Sequence, residues 1–172
     1  FRDYVRAPHS LAVNSCTAGL HVAMAALGIG PGDEVITTPM TFSATVTVIL
    51  QTGAKPVLAD IGPDFNIDPE SIKEKITERT KAIVPVHIAG LPCRMDEIWA
   101  IAKRHRLLVI EDAAHAVGTH FQGNPIGAGD PSQGLASDAV AFSFYATKNL
   151  TTGEGGMVTT HRPEVEAEMR LL

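Results

Sequence analysis

The chain has 172 residues, 45% hydrophobic and 19% charged, with a formal net charge of -5, enough for one ordinary buried core and too apolar for disorder. The negative balance and the lack of a basic cluster leave nucleic acid and anionic membranes without an electrostatic case as partners. Cys16 and Cys93 form neither a disulfide framework nor a metal-ligand spacing, and they fit a reducing, cytoplasmic address.

In chain order, Leu11 to Asn14 reads as a short apolar strand running into Ser15-Cys16-Thr17-Ala18-Gly19, after which Leu20, Ala23, Met24 and Leu27 recur at helical spacing. Strand, turn of small polar residues and helix make a phosphate-binding geometry, because the free N–H groups and the dipole at a helix start favour an anion. A plain helix cap is the other reading of Ser15 or Thr17. Gly28 to Gly32 follows a helix instead of a strand, so it reads as a helix stop. A nicotinamide-dependent oxidoreductase is set aside, since Asn14 to Gly19 lacks the glycine fingerprint that such enzymes carry after the first strand.

Glu34 to Thr38 is the next strand, and Pro39 and Thr41 open a helix whose face of Val46, Ile49 and Leu50 is expected to cover a sheet. The apolar run ending at Leu50 is closed by Gln51 and Gly53, too short to cross a bilayer. Phe42, placed in that helix's first turn, lies where ligands collect in open α/β sheets and either stacks on a flat ring or packs in the core. Lys55 to Ala59 is a third strand, and Asp68-Pro69-Glu70 starts a helix with proline in its first position. Lys81 to Val86, a helix from Met95 to His105, and Leu107 to Ile110 continue an alternation that predicts an α/β fold, a mostly parallel sheet covered by helices.

Asp112 follows the fifth strand, and an isolated carboxylate there is costly unless it meets a cation or a donor, such as a protonated pyridine nitrogen. His115 lies beside the same ligand or serves as a satisfied structural histidine. His115 and His120 stand five residues apart, off one helical face, and no HExxH occurs, so no metal is expected. Thr119 to Ile126 reads as a hairpin around Gly123-Asn124. Asp138 to Phe144 is a buried strand, followed by Lys148 and then the glycines Gly153, Gly155 and Gly156. A lysine desolvated there can attack a carbonyl and form a Schiff base with pyridoxal phosphate, with Ser143 holding the phosphate; a solvated loop lysine is the alternative. Gly156 to Thr160 is a last strand, antiparallel because its link is short.

Ser15-Cys16-Thr17-Ala18-Gly19-Leu20-His21, Gly32-Asp33-Glu34-Val35-Ile36, Thr41-Phe42, Glu111-Asp112-Ala113-Ala114-His115 and Ser143 to Gly156 together resemble the DegT/StrS family of sugar aminotransferases, pyridoxal-phosphate enzymes of fold type I. Within that family, the His87 to Pro92 segment and Lys148-Asn149-Leu150-Thr151 are most similar to transaminases acting on UDP-linked 4-keto sugars. The resemblance implies that Lys148 forms the Schiff base and shuttles the proton, and that Asp112 pairs with the pyridine nitrogen. It implies that Thr17, Ala18 and Ser143 hold the phosphate, that Phe42 stacks on the ring and that His115 sits near the phenolic oxygen. It further implies glutamate as amino donor, a nucleotide-linked keto-sugar as acceptor, and a homodimer whose site borrows residues from the partner. A minority of the family are keto-sugar dehydratases with histidine in place of the lysine; Lys148 favours amino transfer over that alternative, and over a non-catalytic binding relative. The chain begins at Phe1 without an initiator methionine and stops inside a helical pattern, Pro163 to Leu172. Residues 1–172 are therefore expected to be a truncated large domain, with an N-terminal segment and a smaller C-terminal domain absent.

Overall fold

The computed structural model describes residues 1–172. Its elements run α1 (Arg2–Val5), β1 (His9–Val13), α2 (Cys16–Ala26), β2 (Glu34–Thr37), α3 (Ser43–Gln51), β3 (Lys55–Leu58), α4 (Pro69–Lys75), β4 (Thr80–Ile83), α5 (Met95–His105), β5 (Leu108–Asp112), β6 (His120–Phe121), β7 (Asn124–Pro125), β8 (Ala139–Ser143), β9 (Gly156–Thr160) and α6 (Pro163–Met169). Seven strands form one mixed sheet in the order β1-β9-β8-β5-β4-β2-β3. The strands β8, β5, β4, β2 and β3 are parallel, and β9 is antiparallel to both its neighbours. The helix-covered α/β sheet and the antiparallel last strand are thus as expected. No helix is long and apolar enough to cross a membrane.

Alternation along each strand divides the molecule into layers. Ile110 of β5, Ala139 and Ala141 of β8 and Val158 of β9 face one way and bury against α2, α3 and α6 through Leu20, Met24, Val48, Ile49 and Met169. Val109 and Ile83 face the other way, against Ile98, Ile101 and Ala102 of α5. The same two-residue period carries Asp112 and Ser143 onto the α2 face, one step beyond Ile110 and Ala141, at the carboxyl edge of the sheet.

Several boundaries differ from the sequence reading. Strand β5 runs through Asp112, which is therefore its last residue, held by ladder bonds to β8 and a bridge to Val86. Phe42 is the N-cap of α3 and lies outside its first turn. Leu50 is exposed, and the buried face of α3 is Thr45, Val48 and Ile49; in a short helix, apolar residues two to four apart fit more than one face. The hairpin turns on Gln122-Gly123, both at positive φ, with Asn124 paired to Phe121. Helix α6 ends at Met169, short of Leu172.

Helix α2 is seated by a close approach that only glycine permits. A Cβ on Gly156 would lie 2.7 Å from the carbonyl carbon of Ser15 and 2.8 Å from the nitrogen of Cys16. Gly156→Ala is expected to push the start of α2 off β9, costing about 1–3 kcal/mol and weakening any ligand held at that helix start. Thermal unfolding together with a cofactor titration checks this, and unchanged values for both would refute it.

At the opposite, amino edge, Glu34 is buried and accepts bonds from Thr77 Oγ1 at 2.6 Å, Arg79 Nη2 at 2.9 Å and Lys55 Nζ at 3.1 Å. These donors lower its pKa from 4.5 to about 2. A lowered carboxylate pKa stabilises the fold above its unfolded value, and that contribution fades as pH falls through the folded value. Glu34→Gln should therefore melt below wild type at neutral pH, with the gap closing between pH 4.5 and about 2. A gap that stays constant in acid would contradict the assignment.

Candidate active site

At the carboxyl edge, the ends of β5 and β8, the start of α2 and the start of α3 surround a cavity of about 420 Å³, within the range of small-molecule sites. Asp112, His115, Ser143, Lys148, Thr17 and Phe42 all line it. Ala18 does not.

Helix α2 begins at this cavity because Ser15 is extended and caps it, its Oγ accepting the Ala18 N–H at 3.1 Å. The Gly19 N–H is taken by the Ser15 carbonyl. The N–H groups of Cys16 and Thr17 are left without an acceptor inside the helix. An anion placed there meets two donors and the positive end of the dipole. The cap reading of Ser15 and the anion reading of Thr17 thus coexist, while the Ala18 N–H is already occupied. Ser143, at the end of β8, is buried, and its Oγ accepts the Tyr145 N–H at 3.3 Å, leaving its own proton free to give.

Asp112 is 5% exposed. Its Oδ2 accepts the Thr45 hydroxyl at 2.7 Å, and its Oδ1 accepts the Ala114 N–H at 3.1 Å and faces the Cys16 thiol at 3.9 Å. Burial, and then the charge of Asp112, raise the Cys16 thiol well above its ordinary range, so it stays a neutral, weak donor. Every partner of Asp112 is neutral. A buried carboxylate with no counter-ion on the wall of a cavity calls for a cationic ligand atom.

Lys148 lies in the turn after β8, its N–H bonded to the Tyr145 carbonyl at 3.0 Å. The following residues pin that turn, with Asn149 Nδ2 on the Val117 carbonyl at 2.6 Å and Thr151 Oγ1 on the Phe144 carbonyl at 3.0 Å. Lys148 Nζ meets His115 Nε2 at 2.8 Å. Partial burial, and then the lysine charge, lower the His115 pKa; the ring is neutral near pH 7 and its Nε2 accepts from the amine. Phe42 is 77% exposed and presents its ring to the cavity from the cap of α3. That rules out the core-packing reading.

Three further features escaped the sequence. Cys16 was weighed only as a thiol without a metal partner, although it touches Asp112. Thr41 reads in the sequence as a helix opener and Thr45 as the start of an apolar run, although both hydroxyls belong to the Asp112 network. Their spacing of four was the only available signal. His87 is fully buried on the cavity wall, its Nδ1 accepting the Cys93 N–H at 3.1 Å, so that Nε2 carries the proton given to Glu111 at 2.8 Å.

This arrangement offers an anion seat, a buried carboxylate awaiting a cation, an exposed aromatic ring and an amine between them, a set that matches the phosphate, the pyridine nitrogen, the ring face and the aldehyde of pyridoxal phosphate. Known proteins are similar to the chain as a whole. The chain is 54% identical, over its whole length and 43% of the relative, to the spore coat polysaccharide biosynthesis protein SpsC of Bacillus subtilis. It is 47% identical, over its whole length and 45% of the relative, to GDP-perosamine synthase of Caulobacter vibrioides. Among solved structures, NtdA of Bacillus subtilis with bound cofactor PMP superposes with a TM-score of 0.87 at 35% identity, covering 98% of this chain and 37% of that one. The chain therefore spans less than half the length of these relatives. The model of the DegT/DnrJ/EryC1/StrS aminotransferase family, whose members share the type I fold, matches residues 1–172, and the chain belongs to that family.

Proposed function

We propose that the protein carrying this sequence is a pyridoxal-phosphate-dependent aminotransferase that moves an amino group from glutamate to a keto group of a nucleotide-linked sugar. The observation that carries the reading is the buried, cation-free Asp112 sharing one cavity with the Lys148 amine and the open start of α2. The relatives support it, one being named for a GDP-linked amino sugar and one holding PMP. When bound, the cofactor supplies a carbonyl to receive the amino group and a ring to take up an electron pair.

The chain's own residues do the rest. Thr17, with the N–H groups at the start of α2, and the Ser143 hydroxyl hold the phosphate. Asp112 pairs with the pyridine nitrogen, and Phe42 covers one face of the ring. Lys148 Nζ would hold the cofactor covalently and, when free, would carry a proton as a general acid–base. His115, neutral and 2.8 Å from Nζ, keeps the amine aimed and accepts its proton. Ala18 flanks the phosphate seat through its cap bond to Ser15.

Residues 1–172 form, on this reading, most of a cofactor-binding large domain, and the span of less than half of each relative supports it. The working form is a cytoplasmic homodimer. Near-visible spectra of the protein at the full length of its relatives, loaded with pyridoxal phosphate, test the function. The cofactor band should shift to the pyridoxamine form on adding glutamate. A band that glutamate leaves unmoved would refute amino transfer.

A further inference from the structure

Asp112 is held by a chain of hydroxyls that reaches it from a different element. Thr45 is fully buried in the first turn of α3. Its hydroxyl has one proton, and Asp112 Oδ2 at 2.7 Å, which can only accept, takes it. The 2.7 Å contact between the Thr41 and Thr45 hydroxyls therefore runs from Thr41 to Thr45. Helical threonines often spend their proton on the carbonyl four residues back; Thr45 spends it on a carboxylate 67 positions along the chain. Its own N–H closes onto the Phe42 carbonyl at 3.2 Å. One residue thus ties the turn that presents Phe42 to the strand end that presents Asp112.

No other partner of Asp112 does this. The Ala114 N–H comes from two residues further along the same segment, and the Cys16 thiol is a weak donor at 3.9 Å. Thr45 itself does not line the cavity, whereas Thr41, Phe42 and Asp112 do.

We propose that Thr45, backed by Thr41, is a positioning residue for amino transfer, fixing the rotation of the Asp112 carboxylate and holding it in one frame with Phe42. The inference rests on Asp112 being the partner of the pyridine nitrogen. Linked hydroxyls polarise one another, so the second donor strengthens the first. Thr45→Val keeps the shape and removes the proton; Thr45→Ser keeps the proton.

The test uses the protein at the full length of its relatives, loaded with pyridoxal phosphate. It measures kcat, KM for glutamate, cofactor Kd and the pH midpoint of the near-visible band. Thr45→Val should lower kcat by about 10–100-fold, the usual cost of losing a group that orients a site residue from behind. It should also shift the spectral midpoint and weaken cofactor binding, with KM for glutamate little changed, and Thr45→Ser should restore all three. If Thr45→Val fails to fold, Thr41→Val should move the midpoint in the same direction by less. A normal wild-type band with an unmoved midpoint and kcat in Thr45→Val, or in Thr41→Val where that stands in, overturns this proposal alone. So does a Thr45→Ser protein as impaired as Thr45→Val. A wild-type protein with no band at all overturns the reading beneath it.

Discussion

Replacing Lys148 by alanine is expected to abolish amino transfer while leaving the fold intact. The substitution removes the amine that would hold the cofactor and the group that would move the proton. Proton transfer by a positioned side chain is by itself worth about 10²–10⁴-fold, so a loss beyond about 10⁴-fold is expected once the covalent role is added. The structural cost is small because the hydrogen bond of Nζ is to His115 alone and the turn is pinned by Asn149 and Thr151; stability should stay within about 0.5 kcal/mol of wild type. Single-turnover kinetics with glutamate and a thermal melt on the same preparation separate the two effects. Normal turnover by Lys148→Ala would remove the lysine from the mechanism, and a collapse of the melt would show it to be structural.

Asp112→Asn should cost about 10²–10³-fold in kcat, the size of effect that follows loss of one preorganised polar partner. An amide is neutral and no longer keeps a pyridine nitrogen protonated. The substitution also disturbs its own surroundings. An asparagine has one oxygen where the carboxylate has two, so it cannot serve both Thr45 and the Ala114 N–H, which now bond different oxygens. With that oxygen on the Ala114 N–H, its amine meets the Thr45 hydroxyl, which already accepts from Thr41. The Thr45 proton must then turn to Thr41, reversing that 2.7 Å bond, at a cost of about 0.5–1.5 kcal/mol. Rate and stability should both fall, with the rate falling further. An unchanged rate alongside reduced stability would mark Asp112 as purely structural.

Much of this was legible in the sequence because the chemistry gathers where strands end. Asp112, Ser143 and Lys148 each sit at or just past an apolar run, and in a parallel sheet such positions converge on one edge. The antiparallel β9 followed from the short link after Lys148, and the start of α2 from the small polar residues after an apolar strand. Local pattern failed where the partner was distant or the element short. Helix α1 has four residues, too few for a periodic signal. Leu50 matched one helical face as well as Val48 matched another, and only the packed sheet distinguishes them. Thr45 reads as an ordinary helix residue until Asp112, remote in sequence, arrives beside it. Ala18 was carried to the phosphate by resemblance, whereas the capping bond from Ser15 is a local geometric choice that sequence alone leaves open.

The central claim is that Lys148 is the covalent anchor of the cofactor. Borohydride reduction of the loaded protein, followed by peptide mass mapping, tests it most directly, since reduction locks a Schiff base onto whichever amine carries it. A stable phosphopyridoxyl mass on Lys148, and none on Lys55, Lys73, Lys75, Lys81 or Lys103, is the predicted result. A label on another lysine, or no label in protein that shows the cofactor band, would contradict it.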